Sequence, residues 1–248
     1  MDAARIAALL QPFLASPLRS AQLSQIAAYL DLLLRWNART NLTAVRDPED
    51  IITRHFGESL FTAQALFPLH ATPPAHLPSS LAPNPSAPLD LIDLGSGAGF
   101  PGIPIHILVP SLRTTLIESQ NKKVAFLREV IRALTLTNIN VFPGRAEDFS
   151  IKDGAPFKPS SGVRGAVPSL GSSPASLVTL RAVERFDHVL PTAASLVAPA
   201  GRLALLIAGP QAATAQSLLP NFQWQPPRAL PESSTRILLI GLPPNQSS

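Results

Sequence analysis

Leu89-Asp90-Leu91-Ile92-Asp93-Leu94-Gly95-Ser96-Gly97-Ala98-Gly99-Phe100-Pro101-Gly102 decides how this chain is read. The apolar run Leu89–Ile92 reads as a buried strand leading into a glycine-rich turn that opens a helix. Glycines at alternate positions 95, 97 and 99 strip the Cβ atoms from one side of the turn, so a ligand can approach bare backbone. A dinucleotide fingerprint would place its third glycine at position 100, where this chain has Phe100. No Gly-Lys-Ser/Thr follows, so the turn does not read as a Walker loop.

The resulting G-x-G-x-G spacing is closer to the nucleoside-binding loop of S-adenosylmethionine (SAM) enzymes than to a pyrophosphate cradle. Alone, such a loop could equally be an ordinary tight strand-to-helix turn. The next acid raises the odds of a ligand site. Thr114-Thr115-Leu116-Ile117-Glu118 reads as a second strand ending in a carboxylate, placed where parallel-sheet enzymes grip ribose hydroxyls.

Working outward, Asp2–Leu14 and Ser20–Ala38 carry helical periodicity, the second through Leu23, Ile26, Leu30 and Leu33. Asp47-Pro48-Glu49-Asp50 is a helix start: Asp47 caps, Pro48 suits the first turn, and acids favour its positive end. The helix it opens presents Ile51, Ile52, His55, Phe56, Ser59, Leu60 and Ala63 on one broad face. Pro73–Pro88 is a Pro/Ser-rich loop. From Leu89 strands and helices alternate, the pattern of a parallel sheet. The sequence predicts a helix over Asn121–Leu134 and strands at Asn138–Phe142, Leu177–Arg181, Arg202–Ile207 and Arg236–Ile240. A second low-complexity stretch, Lys152–Ser176, reads as an insertion loop. The expected organisation is an N-terminal helical extension (1–72), a loop (73–88), and a ligand-binding domain (89–248) with an insertion near 152–176.

The 248 residues contain no cysteine, which excludes disulfides, thiolate metal sites and a cysteine nucleophile. No uninterrupted run reaches the 18 apolar residues of a membrane span, and the N-terminus lacks a secretion-signal pattern, so a cytoplasmic protein is expected. The net charge of +4 is unevenly spread. Arg113–Arg145 holds six basic residues against Glu118 and Glu129, consistent with a phosphate-rich partner or with a solvated helix face.

Taken together, these residues resemble the bacterial 16S rRNA guanine-N7 methyltransferases, the RsmG family once called glucose-inhibited division protein B. The matching blocks are Trp36-Asn37, Asn41-Leu42-Thr43-Ala44-Val45-Arg46, Arg54-His55, Ser59-Leu60 and Asp93 through Pro104. They continue through Leu116-Ile117-Glu118-Ser119, Lys122-Lys123, Phe126-Leu127, Arg145-Ala146-Glu147 and Arg181-Ala182. The resemblance implies an α/β class I SAM-dependent methyltransferase fold, Rossmann-like with a mostly parallel seven-stranded sheet, and an N-terminal helical extension. It implies SAM as cofactor, 16S rRNA of the small ribosomal subunit as partner, no metal and no membrane. The oligomeric state is not readable from it, with a monomer slightly favoured. Asp93, Gly95, Gly97, Gly99 and Phe100 would wrap SAM, Glu118 would hold its ribose, and Ala146-Glu147 would flank the adenine. Arg181 would lie at the methyl-transfer site as the catalytic and cofactor-side arginine. Candidate RNA contacts are Asn41, Arg54, His55, Lys122 and Lys123. Beside these stand plainer readings: a partly buried structural His55, a solvated helix start at Lys122 and Lys123, and an Arg145–Glu147 pair. The chain departs from the family pattern at Glu58 (usually Asp), Leu180 (usually Ser) and Ala208 (commonly Lys), and its C-terminus lacks the usual basic residues.

The chemistry agrees with what the chain lacks. Guanine N7 carries an exposed lone pair, so methylation there needs alignment and no general base. Methylation at pyrimidine C5 would need a cysteine. Amino-group methylation usually comes with an Asn/Asp-Pro-Pro-aromatic turn, whereas this chain has Arg181-Ala182-Val183-Glu184. The alternatives are a non-catalytic nucleotide- or RNA-binding protein on the same fold, and a nicotinamide-dependent oxidoreductase, which Phe100 disfavours.

Overall fold

In the computed structural model, the residues described are 1–67, 89–149, 174–181, 183 and 185–244. The Pro/Ser-rich loop 73–88 and most of the insertion near 152–176 lie outside them, as do Ala182, Glu184 and the last four residues. The glycine turn sits between β1 (Asp90–Leu94) and α5 (Gly102–Leu108), followed by β2 (Arg113–Glu118), α6 (Asn121–Ala133) and β3 (Ile139–Pro143). Next come β4 (Ala175–Arg181), α7 (Phe186–Ser195), β5 (Val197–Ala208) and α8 (Gln211–Leu218). The chain closes with the two-residue strands β6 (Gln223–Trp224) and β7 (Arg228–Ala229), and then β8 (Arg236–Leu242).

The sheet runs β3-β2-β1-β4-β5-β8-β6, with β7 also on β8. The first five strands are parallel and β8 is antiparallel to β5. Among the described residues eight strands thus fill seven positions, because β6 and β7 both pair with β8 and together make one interrupted edge strand. Pro226 and Pro227 fall in the interruption, where a missing N–H and a fixed φ are tolerated only at an edge. Ala175 and Ser176, expected in the insertion, belong to β4; Ala175 donates its N–H to Leu196 O and is fully buried.

Central strands buried on both faces read as continuous apolar runs. Ile92, Leu94, Val178, Leu180, Leu203, Leu205 and Leu239 join the core beneath α7 and α8. Leu91, Leu177, Leu206 and Leu238 join Ile105 and Leu66 on the opposite face. Outside that second face lies a further layer built by the first sixty-six residues. It comprises α1 (Ala3–Leu10), α2 (Ser20–Thr40), α3 (Pro48–Ile51) and α4 (Glu58–Leu66). Asp47 caps α3 as its sequence predicts, its Oδ1 accepting from Glu49 N at 2.9 Å and Asp50 N at 3.0 Å. Between α3 and α4 the helix does not stay α-helical. Ile52–Gly57 forms a π turn, an insertion that no hydrophobic period reveals.

The extension grips the glycine turn directly. Tyr29 of α2 is fully buried, donates its hydroxyl to Ala98 O, and stacks on Phe100 with ring centroids 5.3 Å apart. Gly99 has φ +90°, and a Cβ there would fall 2.6 Å from Ile103 Cδ1 and overlap the Tyr29 hydroxyl. Gly99→Ala therefore combines a left-handed backbone penalty with overpacking, and is expected to cost about 2–4 kcal/mol. Urea denaturation checks this; a loss below about 0.5 kcal/mol would show that the α2–turn contact is loose.

Candidate functional site

Parallel strands carry their ligands at the carboxyl edge of the sheet, and the turn after β1 is at that edge. Gly95, Gly97 and Gly99 all have positive φ. Their surroundings differ. At Gly95 a Cβ would fall 2.7 Å from Val183 Cγ1, so that glycine serves packing. At Gly97 a Cβ would meet only Gly95 O, at 3.7 Å: its backbone faces open space. The Gly97 N–H donates to Glu118 Oε2 at 2.9 Å, and Gln120 N–H donates to Glu118 Oε1 at 2.8 Å. The Glu118 carboxylate is 5% exposed and keeps lone pairs free for further donors. Bare backbone beside a strand-end carboxylate fits a nucleoside, so the residues present suit SAM.

Around Glu118 stand four other sequence candidates. Ala146 and Glu147 occupy a 3₁₀ turn after β3, half-buried and exposed respectively. Among the described residues Arg145 and Glu147 form no ion pair. Lys122 and Lys123 lie in the first turn of α6, which holds no acid. Two cations at the positive end of a helix dipole are disfavoured there unless an anion joins them.

Two candidates are placed inward. Asp93 is fully buried; its Oδ1 accepts from Thr179 Oγ1 at 2.7 Å and its Oδ2 from Gly102 N at 3.3 Å. It fastens β1 to β4 and to α5. Burial pushes its carboxyl up to about 6, against the pull of those hydrogen bonds. The Phe100 ring is 7% exposed, stacked on Tyr29 and, at 4.9 Å, on His55. Its ring belongs to the joint with the extension.

The second half of the site lies where the π turn crosses the sheet edge. Arg181, at the end of β4, sends Nη2 to Arg54 O at 2.7 Å, His55 Nδ1 at 3.1 Å and Glu58 Oε2 at 3.0 Å. Glu58 Oε1 accepts from Arg236 Nε at 2.7 Å, and Arg236 Nη2 closes the pair. Glu58 is 1% exposed, so burial lifts its carboxyl above the ordinary value while the Arg181 and Arg236 guanidinium groups oppose the lift. Arg181 is itself lowered by burial, with Glu58 opposing. Its Nη1 is buried and has no partner among the described residues.

His55 is a structural ring in a charged setting. A guanidinium only donates, so Nδ1 accepts and the ring proton sits on Nε2, 2.7 Å from Thr43 Oγ1. Burial, then Arg181, Arg54 and Arg236, lower its pKa to about 2. Asn41 ends α2 in the left-handed region and accepts from Arg46 Nη2 on the same loop; Arg54 is exposed. The structure therefore assembles Arg54, His55 and Arg181 in one cluster and Gly97, Glu118, Lys122 and Lys123 in another, joined by the glycine turn. Glu58, Arg236 and Tyr29 were not among the sequence candidates. The signal for Glu58 was its place one turn after His55 on a buried helix face; Arg236 offered none. Among the described residues no group of three His, Cys, Asp or Glu is placed to hold a metal ion, and no helix is long and apolar enough to cross a membrane.

The fold is the class I SAM-dependent methyltransferase fold. It is similar to the structure of an O-methyltransferase family protein from Burkholderia thailandensis, with TM-score 0.51 and 14% identity over 92% of this chain and 72% of that one. A structure of MtNAS is similar at TM-score 0.51 and 14% identity, over 90% of this chain and 75% of that one. The family model described as rRNA small subunit methyltransferase G (GidB) matches residues 22–71 and 75–219, and the chain belongs to that family. A relative named Ribosomal RNA small subunit methyltransferase G from Roseiflexus sp. (strain RS-1) is 44% identical over 126 residues, 51% of this chain and 46% of the relative. One of the same name from Streptococcus pneumoniae (strain ATCC BAA-255 / R6) is 37% identical over 134 residues, 54% of this chain and 50% of the relative. The chain spans about half the length of the curated relatives it matches.

The neutral His55 sets a pH dependence. Its folded pKa lies below its unfolded value, so its contribution to stability is present above about pH 6.5 and is lost as pH falls, by about 1.4 kcal/mol per pH unit at most. Asp93 acts oppositely, its raised pKa costing stability as pH rises from about 4 through about 6. Imidazole NMR should show no protonation of His55 above pH 4. A midpoint near 6 would mean that the ring is hydrated.

Proposed function

We propose that this protein transfers a methyl group from SAM to N7 of a guanine in the 16S rRNA of the small ribosomal subunit. The observation that carries this reading is the bare backbone of Gly97 held against the Glu118 carboxylate, with the neighbouring strand β4 ending in a buried arginine whose Nη1 has no partner among the described residues. Membership of a family described as small-subunit rRNA methyltransferases supports the substrate. In this reading residues 89–248 hold the cofactor and residues 1–72 help present the RNA.

SAM supplies, when bound, an electrophilic methyl on a sulfonium. The N7 lone pair forms the new N–C bond as the S–C bond breaks and its electron pair returns to sulfur, so no proton is moved. The chain's task is then alignment and exclusion of water. Gly97 and its turn offer backbone to the nucleoside, and Glu118 accepts the ribose hydroxyls alongside its two backbone donors. Ala146 and Glu147, next along the edge, flank the base of the cofactor. Arg181 faces a chemical conflict: a guanidinium aimed at the sulfonium would repel it. It serves instead as a donor to oxygen. Lys122, Arg54 and Asn41 are exposed and Lys123 half-buried, and in this reading they meet the RNA, the cations facing its phosphates.

The test is methyl incorporation into small-subunit rRNA, with the modified base mapped. Glu118→Ala loses charged-group hydrogen bonds worth about 1.5–3 kcal/mol each, so SAM should bind at least about tenfold more weakly in calorimetry. Gly97→Val should lose SAM with the fold intact. Unaltered SAM affinity in both variants would remove the cofactor from this edge.

A further inference from the structure

We propose that Glu58 is a positioning residue that, with His55, occupies one end of the Arg181 guanidinium so that the other end, Nη1, is presented to an oxygen acceptor of the RNA nucleotide. The inference rests on the methyl-transfer reading above and assigns how that site holds its arginine.

A guanidinium has five N–H donors and no acceptor. Nη2 meets three acceptors, Arg54 O, His55 Nδ1 and Glu58 Oε2, which is one more than its two hydrogens can serve singly. Nη1 has two hydrogens and, among the described residues, no acceptor, although the atom is buried. A side chain free to rotate would share donors between its ends. This one is pinned: the Arg181 side chain is 11% exposed and Glu58 1%. A buried unsatisfied donor on a charged group is costly and calls for an explanation, which an acceptor arriving with a ligand supplies.

Geometry and charge favour the nucleotide over the cofactor as the source. Arg181 sits between the glycine turn and the π turn that carries Arg54 and His55. Val183, two residues on, already touches the Gly95 position, so the arginine borders the cradle without lying in it. Arg181 and Arg236 share one carboxylate, Glu58, the Arg54 side chain adds a third cation nearby, and against these three stand, among the described residues, only Glu58 and the buried Asp93, while His55 stays neutral. That excess of positive charge repels a sulfonium and attracts RNA. The π turn explains how the acceptors come to converge. It interrupts the α-helical ladder at Ile52–Gly57, and Arg54 O within it accepts the guanidinium.

Three chains are compared: wild type, Glu58→Gln and Glu58→Asp. The amide removes the charge that holds Nη2; aspartate keeps it on a shorter stem. The readouts are kcat and KM for small-subunit rRNA at saturating SAM, SAM affinity by calorimetry, and the side-chain ¹⁵N–¹H resonance of Arg181. For Glu58→Gln we expect kcat to fall at least tenfold, SAM affinity to stay within twofold, and the slowly exchanging Arg181 resonance to broaden. Glu58→Asp should restore both the resonance and most of kcat. If Glu58→Gln does not fold, His55→Ala removes a single acceptor and should give the same changes at smaller size. Wild-type kcat with an unaltered Arg181 resonance in the folded variant would overturn the proposal. A fall in SAM affinity with kcat preserved would place the acceptor on the cofactor and overturn it equally. Absence of methyl transfer by wild type would instead contradict the methyl-transfer reading, and the resonance alone would then decide whether Glu58 positions Arg181.

Discussion

Glu58 carries two guanidinium groups on one nearly inaccessible carboxylate, and much of the molecule's arrangement follows from that. Arg181 comes from β4 and Arg236 from β8, with β5 between them, so the carboxylate bridges two strands across a third at the edge where ligands bind. Glu58 itself opens α4, so the same bond ties the N-terminal helices to the sheet. Taking these ions out of water costs several kcal/mol each, repaid only if geometry and hydrogen bonding are nearly complete. Here the π turn contributes a carbonyl and an imidazole nitrogen to Arg181 Nη2, which leaves Nη1 as the donor without a partner among the described residues. Removing one member would strand the others in a poorly hydrated place.

The same economy appears at the glycine turn. Tyr29, Phe56, Phe100 and His55 form one aromatic cluster between extension and turn, with Tyr29 and His55 stacked on Phe100 and Phe56 edge-on to it. The turn is therefore braced from behind by the extension while Gly97 stays bare in front. A pre-formed binding edge costs less to order when its ligand arrives. Asp93 adds to the bracing from inside the sheet, fixing β1 to Thr179 and Gly102.

Much of this was legible in the sequence, and the boundary of legibility is physical. The β1 run, the glycine turn, the Asp47 cap and the strand-end Glu118 are local patterns set by burial and backbone conformation, and each lies where its pattern predicts. Arg181 was legible because a charged residue closing an apolar strand must emerge at the sheet's edge. Glu58 and Arg236 were not, since their partners are 123 and 178 residues distant and no local period encodes such a meeting. The π turn escaped because one inserted residue hardly disturbs a helical hydrophobic pattern. The family resemblance implies Phe100 as a cofactor contact; its ring packs against the extension because Tyr29, a residue 71 positions earlier, offers a stacking partner. The edge strand broken at Pro226-Pro227 is too short in each half for alternation to show.

The measurement that bears most directly on this account is a double-mutant cycle for folding stability between Glu58→Ala and Arg181→Ala. Neighbours within one buried ionic network couple, whereas independent sites add. Each single change is expected to be strongly destabilising, and the double variant to be less destabilised than their sum by at least about 2 kcal/mol. Additive losses, with coupling under about 0.5 kcal/mol, would contradict the claim that this carboxylate and this arginine hold the extension to the sheet's binding edge.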